Sequence, residues 1–328
     1  MKIISPIATG NGAFILHKRL EEGIEGYKVE AFNPKMTFFP PLLYPIGRAK
    51  ISDIIHTTHD YAVFHKKRGV PMVVTFHNYV LDLYMQAYSS SLQNLHYQTD
   101  LKWFTKKSIN IANEVTAVSQ YTANLVESEL NVKKSIKVIY NGVDEKAFRP
   151  IKKNVARKQN IKVLFSGNLT TRKGAHWLLP ILEKLPSNIS IVYTSGLRGA
   201  GELANHSRFL NVGKVPYAEM PELYRSADML LSPTVREGLP LAVMEAMACG
   251  LPVVATNCSS LPELIDNGKG GFLCGLGDVD GFASKISLLA ENEALRKEMG
   301  DYNRVKVEER FTLSRMISAY QQLFVEMI

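Results

Sequence analysis

The stretch that most constrains the fold runs from Ser232 to Thr256 and reads SPTVREGLPLAVMEAMACGLPVVAT. It contains a loop with Pro240, which suits the first turn of a helix, then strong helix formers ended by Gly250, then a β-branched strand. Two glutamates, Glu237 in the loop and Glu245 in the helix, are separated by seven residues. A strand, loop, helix and strand in this order indicate a parallel α/β sheet, whose ligands bind at the carboxyl ends of the strands.

Apolar strands alternate with helices through both halves of the chain, which predicts two doubly wound, mainly parallel sheets. The pattern restarts at NIKVLFSG, after the basic run KKNVARKQN, so we place the domain boundary after residue 150. This division gives a first domain over 1–150, a second over 151–308 and a terminal apolar-faced helix over 309–328.

Composition limits the function classes only weakly. The net charge of +8 is compatible with anionic ligands, anionic lipid surfaces or nucleic acid, and it selects none of them. The chain has three cysteines and no C-x-x-C pair, so we expect neither a disulfide framework nor a zinc site. We expect a reducing, cytoplasmic compartment. The first residues, KIISPIA, indicate a strand rather than a signal peptide.

A glycine pair follows the first strand of the chain. Gly10 and Gly12 open the following helix, which is a pattern that cradles phosphates or makes a tight turn. The third glycine of a dinucleotide fingerprint is missing, because Ile15 occupies its place, although Glu30 lies at about the distance of a ribose-binding acid. A nicotinamide-dependent oxidoreductase is therefore one alternative for this chain.

A second loop of this kind follows the strand that opens the second half. It ends in Arg172, Lys173 and Gly174 at the predicted start of a helix. Two cations beside free N–H groups can hold a diphosphate, while the alternative is an ordinary basic loop.

Histidines are concentrated in the first half. The apolar strand PMVVTF delivers His77 to its carboxyl end, where a histidine is well placed for chemistry. We interpret His56, His59 and His65 as structural or solvated instead.

A predicted helix over 92–112 carries Trp103 and Phe104 beside several lysines. We expect both aromatic residues to lie in the core, with a patch for a membrane surface as the alternative interpretation.

Taken in chain order, several segments resemble the family 4 retaining glycosyltransferases, which carry an E-x7-E signature. The resembling segments are VVTFHNY, VIYNGVDEKAFRP, SGNLTTRKG, LYRSADMLLSPTVREG and EGLPLAVMEAMACGLPVVAT. The resemblance covers most of residues 70–275. It implies the GT-B fold, in which two Rossmann-like domains face a cleft and the terminal helix crosses back to the first domain.

The resemblance also implies roles for the residues of the E-x7-E segment. Glu245 would bind the ribose of a nucleotide, and Glu237 would contact the donor sugar and face the reacting carbon. The backbone that follows Glu237 would hold the sugar or the phosphates, through Gly238, Leu239, Pro240 and Leu241.

The resemblance implies roles for residues in the loops as well. Lys173 would bind the diphosphate, Gly12 would approach the diphosphate or the acceptor, and His77 would lie near the transferred sugar. Where the family has G-R-L, this chain has Asn168 in place of the arginine. We assign Arg172 as the candidate that replaces it.

The implied activity is sugar transfer, with retention, from a nucleotide-diphospho-sugar such as a UDP- or GDP-sugar to a hydroxyl. The acceptor would be a glycan or a lipid-linked glycan, as in polysaccharide biosynthesis. We expect no cofactor, no metal and no nucleic acid partner, and we expect peripheral contact with an anionic membrane as one possibility for the location. The alternatives are another GT-B enzyme, such as an epimerase or a phosphorylase, and a catalytically silent binding module.

Overall fold

The computed structural model describes residues 1–48, 50–132, 134–151, 160–194 and 206–328. It divides into two compact units, one of Met1–Gly142 with Leu313–Ile328 and one of Val143–Thr312. Most of the predicted basic linker, residues 152–159, lies outside the described residues.

The change of unit comes at Gly142 and not after residue 150, where the charge pattern placed it. Phe148 is fully buried in the second unit, with its ring 5.8 Å from that of Tyr224. Arg304 donates to the carbonyl of Phe148 at 2.8 Å. Phe148 therefore belongs to the second unit, because burying its ring there lowers the free energy more than the charge pattern of the residues after it can influence.

The first unit contains a six-stranded parallel sheet in the order β2-β1-β3-β4-β5-β6. Its strands are β1 Ile3–Ala8, β2 Tyr27–Phe32, β3 Ile54–Thr58, β4 Met72–Phe76, β5 Glu114–Ala117 and β6 Lys137–Val138. Its helices are α1 Gly12–Gly23, α2 Ser91–His96, α3 Lys102–Ile111, α4 Gln120–Leu130 and the last helix of the chain, α11 Leu313–Val325. The strand order reverses between β1 and β3, so the loops after these two strands lie at the topological switch point. The predicted α/β fold of this half and the association of the terminal helix with it are confirmed.

The predicted helix over 92–112 is interrupted. A π-helical turn, Tyr97–Leu101, separates α2 from α3. The prediction that Trp103 lies in the core is wrong, because its side chain is 55% exposed. Phe104 is half-buried, with its ring 5.1 Å from that of Phe64.

The second unit contains another six-stranded parallel sheet, in the order β12-β11-β10-β7-β8-β9. Its strands are β7 Ile161–Phe165, β8 Ile189–Tyr193, β9 Phe209–Asn211, β10 Met229–Ser232, β11 Val253–Thr256 and β12 Gly271–Cys274. Its helices are α5 Ala175–Glu183, α6 Met220–Ser226, α7 Leu241–Ala248, α8 Leu261–Leu264, α9 Val279–Glu291 and α10 Glu293–Arg310. The order is that of a Rossmann sheet, with its switch point between β7 and β10.

Helix α7 is held in place by close packing against α10. A Cβ atom added at Gly300 would lie 2.0 Å from the carbonyl oxygen of Gly250, so only glycine permits this approach. The amide of Asn303 donates to the carbonyls of Leu251 and Gly270, at 2.8 and 2.6 Å. The C-terminal end of α7 is therefore fixed relative to α10 and to the start of β12.

Candidate active site

Two loops meet at the switch point of the second unit, one after β7 and one after β10. The carbonyl oxygen of Arg172 accepts hydrogen bonds from Thr234 Oγ1 at 3.0 Å and from the backbone N–H of Val235 at 2.9 Å. Gly174 has a φ of +76°, and a Cβ atom there would lie 1.9 Å from the carbonyl oxygen of Pro233. The two loops are thus interlocked through backbone atoms.

A buried ion pair joins these loops. Lys173 Nζ lies 2.5 Å from Glu237 Oε1, and Thr234 Oγ1, which has one proton to share between this oxygen and the carbonyl of Arg172, lies 2.9 Å from it. The backbone N–H of Glu237 donates to Ser259 Oγ at 3.1 Å. Burial alone raises the pKa of Glu237, but the charges of Lys173 and Arg172 hold that pKa below its ordinary value. Glu237 is therefore an oriented carboxylate and not an acid.

Arg172 and Asn168 occupy the same loop as Lys173. The carbonyl of Asn168 accepts from the N–H of Thr170 at 2.9 Å, and Thr171–Lys173 forms a turn of 3-10 helix. Among the described residues, the guanidinium of Arg172 has no hydrogen-bond partner, while its charge acts on Glu237. A cation next to the pair is thus available, which is the property that our assignment of Arg172 requires.

Glu245 lies one turn inside α7, where it is 5% exposed. Its Oε2 accepts a hydrogen bond from Tyr224 at 2.8 Å, and the same hydroxyl lies 3.1 Å from Ser166 Oγ, directly after β7. Tyr224 and Ser166 were missed by the sequence analysis, since no local pattern relates α6 to the loop after β7.

Helix α7 begins at Leu241, so Pro240 precedes the helix and is not in its first turn as predicted. Pro240 makes no capping hydrogen bond with its side chain, and the first-turn N–H groups of Leu241, Ala242 and Val243 have no partner inside the helix, which suits an anion. The preceding residues Gly238 and Leu239 are buried in the same loop.

In the first unit, the glycine pair occupies the loop after β1. Gly10 has a φ of +84°, which favours glycine, and Asn11 caps α1 by accepting from the N–H of Phe14 at 2.8 Å. Gly12 is the first residue of α1, with open space around it. The side chain of Glu30 pairs with Lys50, so it is already engaged by a cation.

His77 follows β4 at the carboxyl edge of the same sheet. Its Nε2 lies 3.0 Å from His17 Nε2, while its buried Nδ1 has no partner among the described residues. Burial lowers the pKa of His77 to about 3. The neighbouring His59, after β3, also has a buried Nδ1 without a partner in the described chain, and its Nε2 lies 2.8 Å from Asp60 Oδ1.

His59 and Asp60 thus act electrostatically on His77, although the sequence analysis interpreted His59 as structural or solvated and did not single out Asp60. The signal that could have found them is their position directly after a strand that pairs with β4. His65, by contrast, lies 3.2 Å from the carbonyl oxygen of Ile46 and is buried, as a structural histidine should be.

A D-x-D spacing, of the kind that can hold a metal ion, occurs in the chain at Asp278 and Asp280. Asp278 caps α9 through the N–H of Gly281 at 2.8 Å, and Asp280 is exposed and pairs with Lys184 at 2.7 Å. Both carboxylates thus have structural partners. None of the helices in the described chain is both long and apolar enough to cross a membrane.

Two family models match the chain, Glycosyltransferase Family 4 over residues 12–147 and Glycosyl transferases group 1 over residues 160–292. N-acetyl-alpha-D-glucosaminyl L-malate synthase of Bacillus anthracis is 24% identical, over 94% of this chain and 84% of the relative. UDP-Gal:alpha-D-GlcNAc-diphosphoundecaprenol alpha-1,3-galactosyltransferase of Escherichia coli is 23% identical, over 87% of this chain and 78% of the relative. The solved structure of Anabaena HepE in complex with UDP and glucose superposes with a TM-score of 0.81 at 20% identity, over 99% of each chain.

The two family models together span most of the chain, and they follow the order in which its motifs occur. The solved structures share its two Rossmann-like sheets. A transferase is therefore selected over the oxidoreductase that the glycine pair left open. The chain belongs to the family 4 glycosyltransferases and has the GT-B fold.

Proposed function

We propose that this glycosyltransferase moves a sugar, with retention, from a nucleotide-diphospho-sugar to a hydroxyl acceptor, and that the second unit binds the donor. The observation that carries the proposal is the Lys173–Glu237 pair at the switch point, with the charge of Arg172 beside it. A diphosphate suits this arrangement, because two cations and an uncapped helix start can contact its oxygens together.

In the proposed reaction, the bond between the anomeric carbon and the diphosphate oxygen breaks as the acceptor oxygen bonds to that carbon. Negative charge grows on the leaving diphosphate, where Lys173 and Arg172 stabilise it. The acceptor proton passes to a donor phosphate oxygen, and the sugar leaves with its configuration retained. Glu237, held as a carboxylate, orients the donor sugar through its hydroxyls and sets the position of Lys173 Nζ. This scheme requires no cofactor and no metal ion.

Glu245 is proposed to bind the ribose hydroxyls. The hydroxyl of Tyr224 donates to one carboxylate oxygen and so orients the group. The E. coli relative is named for a UDP-sugar and the solved HepE complex contains UDP. We therefore propose that the donor is a UDP-sugar.

We expect UDP to stabilise the protein against thermal unfolding more than GDP or ADP does. At a concentration of about 100 times Kd, a ligand that binds the native state adds about 2.7 kcal/mol. The measurement is the melting temperature at increasing nucleotide concentration. Lys173→Ala should abolish the shift, whereas Lys184→Ala, which removes an exposed lysine of the same unit, should leave it unchanged. A shift with NAD and none with any of the three nucleotides would contradict the proposed donor.

The acceptor is proposed to be a glycan carried by a lipid, as the name of the E. coli relative describes for that protein. An exposed apolar surface of the first unit supports contact with a bilayer. We name it the aromatic–basic face, and its apolar members are Phe38, Phe39, Leu42, Leu92, Leu95 and Trp103. Phe38 is 89% exposed and Leu92 is 78% exposed, which is unusual for side chains that gain free energy from leaving water.

The aromatic–basic face comes from two segments of the chain, one with Phe38, Phe39 and Leu42 and one with Leu92, Leu95 and Trp103. Both segments pack on the same short turn, Ala62–Phe64, and on Tyr61 before it. Arg48, from the first segment, donates to the carbonyl of Phe64 at 3.2 Å. The hydroxyl of Tyr61 lies 3.3 Å from Nε2 of His96, in the second segment. The two segments are therefore neighbours in the first unit.

The charge of this face fits an anionic phospholipid bilayer. No aspartate or glutamate occurs between residues 31 and 52, whereas Lys35 and Arg48 do, and Lys50 is paired with Glu30. In the second segment, Lys107 Nζ lies 5.5 Å from the ring of Trp103. Aromatic side chains with adjacent cations are typical of surfaces that bind the membrane interface.

We expect the protein to sediment with vesicles of phosphatidylcholine and phosphatidylglycerol, and much less with phosphatidylcholine alone. The pair of changes Phe38→Glu and Phe39→Glu should weaken binding by about tenfold or more, because two apolar contacts are lost and two negative charges are added. Val305→Glu, an exposed apolar position of the second unit, is the matched control. Equal sedimentation of the double variant and the control would contradict this surface.

Product analysis separates the proposed transfer from other GT-B reactions. A transferase gives a new glycoside only when an acceptor is present. An epimerase converts the donor without acceptor, and a phosphorylase requires inorganic phosphate.

A further inference from the structure

A line of buried side chains leads from His77 into the first unit. His77 Nε2 lies 3.0 Å from His17 Nε2, and His17 Nδ1 lies 2.9 Å from the hydroxyl of Tyr27. That hydroxyl lies 2.8 Å from His56 Nδ1, and His56 Nε2 lies 2.8 Å from Thr75 Oγ1. We propose that this hydrogen-bonded chain decides which ring nitrogen of His77 carries the proton. The chain thereby sets whether His77 donates to, or accepts from, a hydroxyl of the bound substrate.

All three imidazoles of the chain are neutral near pH 7. Burial lowers the pKa of His17 and of His56 well below the ordinary value, and it lowers that of His77 to about 3. The nearby charged imidazole forms would also repel one another, since the rings of His17 and His56 are stacked at 4.4 Å. A neutral imidazole has one N–H and one bare nitrogen, so each ring must donate at one end and accept at the other.

This constraint leaves two arrangements of the protons along the chain. In the outward arrangement, Thr75 donates to His56, His56 to Tyr27, Tyr27 to His17 and His17 to His77. His77 then carries its proton on Nδ1. In the inward arrangement every donor becomes an acceptor, and the Nδ1 of His77 is a bare acceptor.

A mixed arrangement is costly between His17 and His77, where it brings two N–H groups or two bare nitrogens together. It is also costly at Tyr27, where two N–H groups directed at the hydroxyl oxygen leave the hydroxyl proton without an acceptor in the chain. Leaving a buried polar group unpaired costs enough to shift a population by about tenfold or more. When Tyr27 donates to His56, Ser5 can donate to His17 Nδ1 in its place, so the coupling is strongest when His56 carries its proton on Nδ1. Ser5 Oγ, 2.6 Å from His17 Nδ1, is a hydroxyl that can donate or accept, as are Thr116 and Tyr320, 2.7 and 3.3 Å from Thr75 Oγ1.

The outer end of the chain is its last ring nitrogen, Nδ1 of His77. Among the residues that the structure describes, His77 Nδ1 is buried without a partner, at the carboxyl edge of the sheet. A substrate hydroxyl there would complete the chain in either arrangement, because a hydroxyl can both donate and accept. This step rests on the proposed role of His77 in transfer. His17, Tyr27, His56 and Thr75 are then positioning residues that act through His77.

The change Thr75→Val tests the chain at the end away from His77. It removes the hydroxyl from His56 Nε2 and keeps the shape of the side chain. A buried nitrogen without a partner is better tolerated bare than as an N–H. His56 should therefore carry its proton on Nδ1, which imposes the outward arrangement. We expect the Nδ1–H form of His77 to exceed the Nε2–H form by about tenfold or more in this variant.

The measurement is a long-range nitrogen–proton correlation spectrum of the histidine side chains, recorded on nitrogen-15-labelled protein without substrate. Protonated and bare ring nitrogens have well-separated nitrogen shifts. Thr75→Ser keeps the hydroxyl and should restore the wild-type spectrum. Thr105→Val removes a buried hydroxyl outside the chain and should leave the spectrum of His77 unchanged.

Tyr27→Phe interrupts the chain at its middle. In the double variant with Thr75→Val, His77 should return to the tautomer that Tyr27→Phe shows alone. If Thr75→Val does not fold, Tyr27→Phe provides the test at His56, whose Nδ1 then loses its partner and whose proton should lie on Nε2. A His77 that carries its proton on Nε2 in Thr75→Val, or a His56 that carries its proton on Nδ1 in Tyr27→Phe, would overturn the chain.

The spectra need no transferase activity, so this inference and the proposed function can fail separately. If the tautomers are coupled but the protein transfers no sugar, the hydrogen-bonded chain is supported and the proposed function is refuted. If the tautomers are not coupled but the protein transfers sugar, the proposed function is supported and the hydrogen-bonded chain is refuted.

Discussion

Lys173→Ala is expected to lower kcat/KM for sugar transfer by about 10²–10³-fold, because one of the two cations assigned to the leaving diphosphate is lost. The change should also reduce stability, since it leaves the carboxylate of Glu237 buried without its partner. Removal of one member of a buried pair costs about 3–5 kcal/mol. We expect the lower end of that range, because the Lys173 side chain is 24% exposed. Transfer rates and urea unfolding measure the two effects.

A second variant separates catalysis from folding at this pair. In Lys173→Ala with Glu237→Gln both charges are gone, so much of the lost stability should return while transfer stays low. Lys184→Ala breaks an exposed pair with Asp280 and should change stability by no more than about 1 kcal/mol. Transfer at the wild-type rate in a folded Lys173→Ala protein would refute the role assigned to this lysine.

Gly174→Ala is expected to destabilise the second unit by about 3 kcal/mol or more. The residue has a φ of +76°, which costs an alanine about 1–2 kcal/mol. Its Cβ atom would also lie 1.9 Å from the carbonyl oxygen of Pro233, so the backbone of one loop would have to move. This movement would separate Lys173 from Glu237, and transfer should fall together with stability.

Gly213→Ala is the matched control for this change. Gly213 has the same φ of +76°, but a Cβ atom there would have nothing within 4 Å. It should therefore show the conformational cost alone, and transfer should remain normal. The difference between the two variants, measured as free energies of unfolding in urea, isolates the contact between the loops. Equal losses of stability would show that this contact is not what requires glycine.

Local patterns in the sequence were sufficient for the elements of both sheets. The apolar segments IKVLF and VVAT are short and β-branched, and the helix formers between Leu241 and Ala248 end at a glycine, so their types follow from nearest neighbours. The candidate loops were found in the same way, since Arg172, Lys173 and Glu237 each follow a predicted strand. These properties depend on residues that are close together along the chain.

Other features were decided by which strands become neighbours. The pairing of Lys173 with Glu237 requires β7 to lie beside β10, although 64 residues separate the two side chains. The exposure of Trp103 depends on how α3 packs on the turn at Ala62–Phe64, and the helical pattern alone placed its ring in the core. Contacts of this range leave no local periodicity that could predict them.

The stretch between Ser232 and Thr256 illustrates the same division. Its sequence determined a loop, a helix and a strand with two glutamates at a defined spacing. Tertiary structure gave the glutamates different partners, Lys173 for Glu237 and Tyr224 for Glu245, because β7 and α6 pack beside this stretch. Likewise, no sequence pattern joins His17, Tyr27 and His56, which come from one helix and two strands. Their hydrogen bonds exist because burial brings polar groups together and requires each of them to find a partner.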